Sequence, residues 1–432
     1  MDDLITLQEA QRRMADAVVP LGAEQAPLLQ ALGRTLAAAV PFKADMPPFD
    51  RAMMDGYAVR ARDVAVAAPQ APVILRDTGP TVFAGAPHGA VCPQGGAVRT
   101  MTGAPVPDGA DAVVRLEFTE RGEAGTVRIL RPVPVGEAVQ SRGFGGRAGD
   151  EIAPAGVRVD ALALAALAAH GHADIRVMRR PRVALAAIGS ELRTPGDAMQ
   201  PGQLYDSNSY MMQSLVLSWG GEPLAGGICP DSLEEMASRL AALWERADVL
   251  VTTGGVSVGD GDLTPRALLR LGARSLFQGV WMRPGTPVCA FEKDGKIALA
   301  LSGNPGAAYV NAVLLLLPLL YRLTGRAQYL QEHVVTARLA ADPGKRTTRH
   351  ARFLRGQLAM RDATLWIDPG LGQSSAIPHR LGAALAVIGP GETAREGALY
   401  PVIVEQAWPL AAVGDEGYEG LARDALHRYC GV

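Results

Sequence analysis

The chain has 432 residues, and its 42 lysines and arginines against 44 aspartates and glutamates give a formal net charge of −2. A chain of this length is too long for one compact core, and we expect about two to four domains. Hydrophobic residues make up 48% of the sequence and charged residues 20%, which excludes an intrinsically disordered chain. The near-neutral charge argues against a general nucleic-acid-binding protein, because neutralising phosphates requires a surplus of lysine and arginine.

Cysteine spacing and the apolar runs indicate the compartment. The four cysteines lie far apart, with no CxxC pair and no histidine at metal-ligand spacing, so neither a zinc site nor a disulfide framework is predicted. The first residues are acidic and then amphipathic, unlike a signal peptide. The longest apolar run, residues 310–321, is 12 residues long and too short to span a bilayer. We therefore expect a cytoplasmic protein without a membrane partner.

Residues 1–180 combine short helices with strands that end at glycines and prolines. A capping box from Thr6 to Glu9 predicts the first helix. Strands are predicted over residues 97–101, 112–114 and 127–130, where apolar runs lie between turn residues. This first region is predicted to be mixed α+β.

Residues 181–326 alternate continuous apolar runs with amphipathic helical segments. That alternation is typical of a parallel sheet covered by helices on both faces, so a doubly wound α/β domain is predicted. Within it, Asp231 and Glu234 form a second capping box. From residue 327 to 432 short apolar segments are separated by glycine, proline and aspartate, which predicts a small β-sheet or β-barrel domain.

Three loops of the middle region follow predicted strands, at residues 188–192, 252–262 and 301–306. Ligands of open parallel sheets bind beyond the carboxyl ends of the strands. Glycines in these loops suit close approach to a phosphate, and Asp260 and Asp262 are suited to holding Mg²⁺. Glycine and aspartate are also ordinary turn residues, and for the Asp55-Gly56 pair turn geometry is the preferred interpretation.

Six segments of the sequence together resemble the molybdopterin molybdenumtransferase family, which includes the E domain of gephyrin. In chain order they are PPFDRAMMDGYAV, RTMTGAPVPDGADAVV, AIGSELRTPG, YDSNSYM, VTTGGVSVGDGD and LSGNPGAAYV. The resemblance implies a homodimer whose chains each have two intertwined N-terminal subdomains (1–180), a doubly wound α/β molybdopterin-binding domain (181–326) and a C-terminal β-barrel-like domain (327–432). It implies an active site at the dimer interface that takes adenylated molybdopterin and molybdate, requires Mg²⁺ and releases AMP. Other cofactor-synthesis proteins are implied as possible partners.

The same resemblance implies the site residues. Catalytic roles fall to Asp55, Thr102 and Glu191, the first two reaching across the dimer interface. Metal binding falls to Glu191, Asp262 and Asp231, although Asp231 is equally well explained as a helix cap. The residues implied in binding molybdopterin or molybdate are Gly254, Gly255, Ser257, Asp262, Arg283, Ser302, Asn304, Arg355 and one of Ser374 and Ser375.

The chain departs from the family pattern at charged positions. Ser190, Thr286 and Gly145 stand where the family has an acid, a lysine and an acid, and Arg283 replaces a second lysine. These losses motivate an alternative, a non-catalytic paralogue that binds or carries molybdopterin or the finished molybdenum cofactor without inserting metal, whereas the retained acids favour the transferase.

The basic segment 345–355 lacks the interleaved aromatic residues of a nucleic-acid site. It is interpreted as a solvated strand and turn with Arg355 facing the pocket.

Overall fold

The computed structural model describes residues 4–87, 89–123, 125–256, 263–326, 333–343, 347–369 and 384–404. The first helix, α1 (Leu7–Asp16), begins after Thr6, whose Oγ1 accepts a hydrogen bond from the Glu9 N–H at 3.2 Å. Its buried side chains pack into the core of the α/β domain rather than into the N-terminal region. Helix α1 therefore packs with the α/β domain, although it precedes the N-terminal region in the sequence.

The N-terminal region contains two main hydrophobic cores and two smaller apolar clusters. Its strands are β1 (Ala23–Pro27), β2 (Val40–Pro41), β3 (Arg51–Ala52), β4 (Gly56–Val59), β5 (Val73–Asp77), β6 (Gly96–Thr100), β7 (Ala112–Arg115), β8 (Thr119–Arg121), β9 (Thr126–Ile129), β10 (Val139–Gln140), β11 (Glu151–Ala153) and β12 (Asp174–Met178). Six of them form a sheet in the order β7-β4-β6-β5-β9-β8, in which only the β5–β6 pair is parallel.

The other N-terminal core lies between the β1–β12 and β2–β11 pairs and helix α2 (Ala161–Ala169). Asp160 caps this helix by accepting a hydrogen bond from the Ala163 N–H at 2.8 Å. Short 3₁₀ turns complete the region at Leu28–Ala31, Ala61–Val64 and Leu116–Phe118. The prediction of a mixed α+β region is confirmed.

The α/β domain has helices on both faces of a six-stranded sheet. Its strands are β13 (Arg182–Ile188), β14 (Leu192–Arg193), β15 (Leu204–Tyr205), β16 (Glu222–Cys229), β17 (Val249–Thr253), β18 (Arg274–Gln278), β19 (Met282–Arg283), β20 (Cys289–Lys293) and β21 (Lys296–Leu301). Its helices are α3 (Asn208–Ser218), α4 (Leu233–Glu245), α5 (Leu263–Arg270), α6 (Pro305–Asn311) and α7 (Leu317–Leu323). The sheet order is β16-β13-β17-β21-β20-β18.

The first four strands of this sheet are parallel, as predicted, but β20 runs antiparallel to both of its neighbours. The cause is the two-residue turn between β20 and β21, where Asp294 and Gly295 both have positive φ angles, 54° and 72°. A turn of two such residues closes a hairpin, whereas a parallel connection needs a long crossover.

One helical stretch, Pro305–Leu323, is long and apolar enough to cross a membrane by composition, and 83% of its most apolar window is buried inside the protein. It consists of α6 and α7 joined by a π-helical turn over Ala312–Leu316. Its side chains belong to the core shared with α1 and α3, so burial in the domain accounts for its apolar character.

The C-terminal region forms a closed five-stranded β-barrel. Its strands are β22 (Val334–Leu339), β23 (Ala351–Arg361), β24 (Thr364–Asp368), β25 (Ala384–Ile388) and β26 (Leu399–Val404). Hydrogen bonding runs around the ring β23-β24-β22-β26-β25 and returns to β23. Strand β19 of the α/β domain adds to β23 in parallel, which joins the barrel to that domain. The predicted fold class is confirmed, while the boundaries at residues 180 and 326 stay predictions.

Candidate active site

A cavity of about 620 Å³ lies at the carboxyl ends of β13, β17 and β21. That volume is in the range of pockets that hold small organic ligands. The residues that line it come from the loops after these strands and from the start of α3: Ile188, Gly189, Glu191, Leu192, Leu204, Tyr205, Asp206, Ser207, Asn208, Asp231, Thr253, Gly254, Gly255, Val256, Pro287, Ser302, Gly303 and Pro305. The position agrees with the expectation from the parallel sheet.

Ser190 and Asp231 join two of the loops around the cavity. The Ser190 N–H donates to Asp231 Oδ2 at 3.0 Å, and the Asp231 N–H donates to Ser190 Oγ at 3.2 Å. Helix α4 begins at Leu233 with Ser232 in the N-cap position, so the interpretation of Asp231 as a helix cap is wrong. The carboxylate of Asp231 faces the cavity instead.

Glu191 folds back over the loop that carries it. A Cβ atom at Gly189 would lie 2.6 Å from Glu191 Oε2, and Gly189 has a φ of 154°. Glycine at position 189 suits this backbone conformation, and the carboxylate of Glu191 lies close above it beside the cavity.

Two polar residues that we had not predicted for the site, Asp206 and Asn208, also line the cavity. Asp206 is buried, and its Oδ1 accepts from the Ser209 N–H at 3.0 Å. Asn208 Nδ2 donates to Gly303 O at 2.9 Å, while its buried Oδ1 has no hydrogen-bond partner among the described residues. The sequence signal was present in the segment YDSNSYM, where polar residues crowd the start of an otherwise apolar helix.

Gly254 and Gly255 allow the second loop to pack tightly. Gly254 has a φ of 96°, and a Cβ there would lie 2.4 Å from Ile188 O. Gly255 has a φ of 68°, and a Cβ there would lie 2.4 Å from Thr264 Oγ1. The Gly254 N–H donates to Leu301 O at 3.0 Å, so this amide is already used within the fold. Ser257, Asp260 and Asp262 lie outside the described residues.

In the third loop, Ser302 and Gly303 line the cavity, but Asn304 serves as a helix cap. Its Oδ1 accepts from the Ala307 N–H at 3.2 Å at the start of α6. The barrel strand β23 brings Arg355 to the same helix, where a Cβ at Gly306 would lie 2.9 Å from the guanidinium carbon. Burial lowers the pKa of Arg355 below its ordinary value.

Arg283 and Thr286 differ in whether their polar groups are available to a ligand. Arg283 is exposed, whereas the Thr286 hydroxyl donates to Met282 O at 2.5 Å. Thr286 is therefore engaged within its own loop, whose last residue, Pro287, lines the cavity. Ser374 and Ser375 lie outside the part of the chain that the structure describes.

Asp55 and Thr102 meet each other on the N-terminal sheet. Asp55 Oδ1 accepts from the Thr102 hydroxyl at 2.7 Å and from the Thr102 N–H at 2.8 Å. These two bonds, with a smaller contribution from the charge of Arg99, hold the pKa of Asp55 below its usual range. Neither residue lines the cavity of its own chain.

The donor set of the cavity suits Mg²⁺. Among the described residues no group of three or more histidines, cysteines, aspartates or glutamates is arranged as a metal centre. Mg²⁺ usually takes only one or two protein carboxylates together with substrate phosphates. Glu191 and Asp231 supply oxygen donors of that kind at the cavity.

Comparison with known proteins identifies the family. Residues 5–171 match a family described as the MoeA N-terminal region (domain I and II), and residues 184–322 match one described as a probable molybdopterin binding domain. The molybdopterin molybdenumtransferase of Bacillus subtilis is 33% identical over 90% of this chain and 91% of its own length. That of a Nostoc species is 36% identical over 85% of each chain.

Among solved structures, a molybdopterin biosynthesis MoeA protein from Pyrococcus horikosii aligns with a TM-score of 0.81 and 30% identity, covering 94% of this chain and 100% of that one. The similarity therefore extends over all three regions, including the C-terminal barrel. The chain belongs to the molybdopterin molybdenumtransferase family, the transferases of molybdenum cofactor biosynthesis.

Proposed function

We propose that this chain inserts molybdate into adenylated molybdopterin in the cavity, with Mg²⁺ bound and AMP released. The observation that carries the proposal is that carboxylates and tight glycine loops meet at one edge of the sheet: Glu191, Asp231, Gly254 and Gly255 all line the same cavity. The cavity has room for a ligand of pterin size. The chain matches the molybdopterin-binding family over this domain.

The chemistry of the residues that line the cavity gives each a distinct role in this reaction. Glu191 and Asp231 would hold Mg²⁺, which when bound neutralises phosphate charge and eases departure of AMP. The bonds between Ser190 and Asp231 keep that carboxylate oriented toward the ligand. The unpartnered Oδ1 of Asn208 suits an N–H donor of the pterin ring, because a buried acceptor gains most from a ligand that satisfies it.

The active site is completed by a second copy of the chain. Asp55 and Thr102 lie on an exposed surface and do not line the cavity of their own chain. Around them Met53, Met54 and Phe83 are 52%, 41% and 59% exposed, an apolar rim that favours burial against a partner. Three further exposed leucines, Leu29, Leu32 and Leu162, form a second apolar surface beside α2. Both support a homodimer with the site at its interface.

The direct test incubates the purified chain with adenylated molybdopterin, molybdate and Mg²⁺ and follows AMP. Replacing Glu191 by glutamine is expected to slow AMP release by about 100-fold or more while adenylate binding stays within a few-fold, since the substitution removes a charge and keeps the shape. Glu222→Gln is the matched control, because Glu222 lies on the same sheet at the amino end of β16. Unchanged AMP release in Glu191→Gln would remove Glu191 from the mechanism.

The carrier alternative is favoured by one observation, the engagement of the Thr286 hydroxyl with Met282 O, which leaves the loop with a single cation. Wild-type protein that binds molybdopterin tightly but releases no AMP would establish the carrier in place of the molybdate-inserting enzyme. A cytoplasmic location and contacts with other cofactor-synthesis proteins stay predictions.

A further inference from the structure

Arg99 lies on the same face of the N-terminal sheet as Asp55. Strand β6 runs antiparallel to β4 with Arg99 opposite Tyr57, and cross-strand partners share a face. On the other side of β4 the ladder continues to Asp55, whose O accepts from the Leu116 N–H at 3.1 Å. Because side chains alternate along a strand, Asp55 shares the face of Tyr57. Asp55 and Arg99 are therefore diagonal neighbours, a spacing that long side chains can bridge.

The guanidinium of Arg99 has no compensating partner in the part of the chain that the structure describes. Arg99 is partly buried, and its Nε is buried without a hydrogen-bond partner. No ion pair of Arg99 occurs among the described residues. A charged group that loses water without gaining a hydrogen bond destabilises the fold, so packing alone does not explain an arginine at this position.

The carboxylate of Asp55 also has unused hydrogen-bonding capacity. Both hydrogen bonds from Thr102, one from its hydroxyl and one from its N–H, go to Oδ1, and Oδ2 accepts none from the described residues. The bonds from Thr102, and after them the charge of Arg99, lower the pKa of Asp55, in agreement with the positions that the strand register gives. An anion and a cation with free polar atoms therefore lie side by side next to Thr102.

Arg115 provides a comparison within the same sheet. It lies opposite Gly56 on β7, the strand on the other side of β4, and its Nε is likewise buried without a partner. Since Gly56 and Asp55 are consecutive, Arg115 lies on the opposite face of the sheet from Asp55. Two similar arginines thus flank β4, and of the two it is Arg99 that shares a face with Asp55.

We propose that Arg99 is a positioning residue for Asp55 in the proposed reaction. Arg99 keeps the carboxylate ionised, Thr102 fixes its Oδ1, and Oδ2 stays open as an acceptor for a group of the facing chain or of its substrate. The role in the reaction rests on the proposed function, whereas the coupling of Arg99 to Asp55 does not.

The coupling is tested by labelling the full chain at about pH 6 with an uncharged carbodiimide and glycinamide, and by following Asp55 with peptide mass spectrometry. A carbodiimide activates the protonated form of a carboxyl group, so the labelling rate reports how strongly Asp55 is held ionised. Arg99→Met is expected to speed the labelling of Asp55 by about twofold or more. Arg115→Met is the matched control, and its Asp55 is expected to label at the wild-type rate.

Salt separates the effect of charge from the effect of reagent access. The difference in labelling rate between wild type and Arg99→Met should shrink in about 1 M sodium chloride, because salt screens charges near the surface. Arg99→Lys keeps the charge and is expected to label close to the wild-type rate. A difference that persists at high salt would show that Arg99 only shields Asp55 from the reagent, and would overturn the coupling.

In the reaction itself, Arg99→Met is expected to lower kcat for AMP release by about tenfold while KM for the adenylate changes by less than about twofold. Arg99→Lys should recover most of the rate, and Arg115→Met should keep the wild-type rate. Circular dichroism and thermal melting check that each variant is folded. Arg99→Gln, which is also neutral but polar, is measured beside Arg99→Met in case the latter fails to fold.

The two proposals fail separately. Wild-type labelling of Asp55 in both neutral variants of Arg99 would overturn the coupling and with it the positioning role. Faster labelling with unchanged AMP release would overturn the role in the reaction. A wild-type chain that releases no AMP contradicts the proposed function, and the labelling rates still decide whether Arg99 acts on Asp55.

Discussion

The role of Ser190 in the structure differs from the one that the sequence suggested. In the sequence it stands for a lost acid, which argues for a weakened site. In the fold its hydroxyl accepts the Asp231 N–H while its own N–H binds the Asp231 carboxylate. Ser190 therefore orients Asp231, an acid that the chain has kept. The loss of an acid at position 190 thus weakens the site less than the sequence suggested.

At the same scale, Asp248 ties the end of the N-terminal region to the α/β sheet. It accepts from Arg179 at 2.8 and 2.9 Å and from the Arg182 N–H at 2.8 Å. Burial alone would raise the pKa of Asp248, but the bonds from Arg179 and Arg182 outweigh it, and the pKa lies below its ordinary value. A lowered folded-state pKa contributes stability above the unfolded pKa, and this contribution is lost as pH falls through the folded value.

We therefore expect Asp248→Asn to lower the free energy of unfolding at pH 7 by about 1–3 kcal/mol. The difference from wild type should shrink below about pH 4, where the unfolded carboxylate is protonated. Urea unfolding at both pH values measures it. Glu222→Gln, which breaks an exposed contact with Arg182, should change the free energy by less than about 1 kcal/mol. A pH-independent loss in Asp248→Asn would contradict the ionic explanation.

Among the elements, the glycine loop after β17 is shaped by how closely it approaches β13. The sequence predicted glycines for phosphate contact, but the clash distances show that close packing alone already requires them. The need for glycine at these two positions could not be predicted from the sequence, because it arises from contacts with Ile188 and Thr264, which lie on other elements. The β20–β21 hairpin, by contrast, was readable in principle from its Asp-Gly turn.

Gly254→Ala is expected to lower the free energy of unfolding by about 2–5 kcal/mol, since the alanine would be strained at positive φ and would clash with Ile188 O. Gly272→Ala is the control, because Gly272 has a φ of 80° with nothing within 4 Å of its Cβ position. That variant should lose only about 1–2 kcal/mol. An equal decrease in the free energy of unfolding of the two variants, measured by thermal or urea unfolding, would show that the close contact of the loop with Ile188 does not make alanine at position 254 more destabilising.

For the whole molecule, the sequence predicted the order and type of the three regions because each has its own hydrophobic period. Two facts escaped it, the packing of α1 into the α/β core and the closeness of Arg352 to Arg283. In both cases the residues that meet are far apart in the chain, and the segments that carry them are short or contain polar residues. Such contacts have no local signature, so only the assembled fold reveals them.

The dimer proposal makes a prediction at this scale. Chains carrying Asp55→Ala and chains carrying Glu191→Gln, given different tags and purified as mixed dimers, should regain about half of the wild-type rate of AMP release, since one of the two sites is then intact. Each variant alone should be inactive. Mixed dimers without activity would place both residues in the site of a single chain.

The packing of α1 also has a mechanical consequence. Gln11 Nε2 donates to Leu314 O at 2.8 Å and Arg13 donates to Leu276 O at 2.9 Å, so the start of the chain is fastened to the α/β domain. Arg179 and Asp248 fasten the other end of the N-terminal region to the same domain. The N-terminal region, with the surface that carries Asp55 and Thr102, is therefore connected to the α/β domain at both of its ends rather than through a single linker.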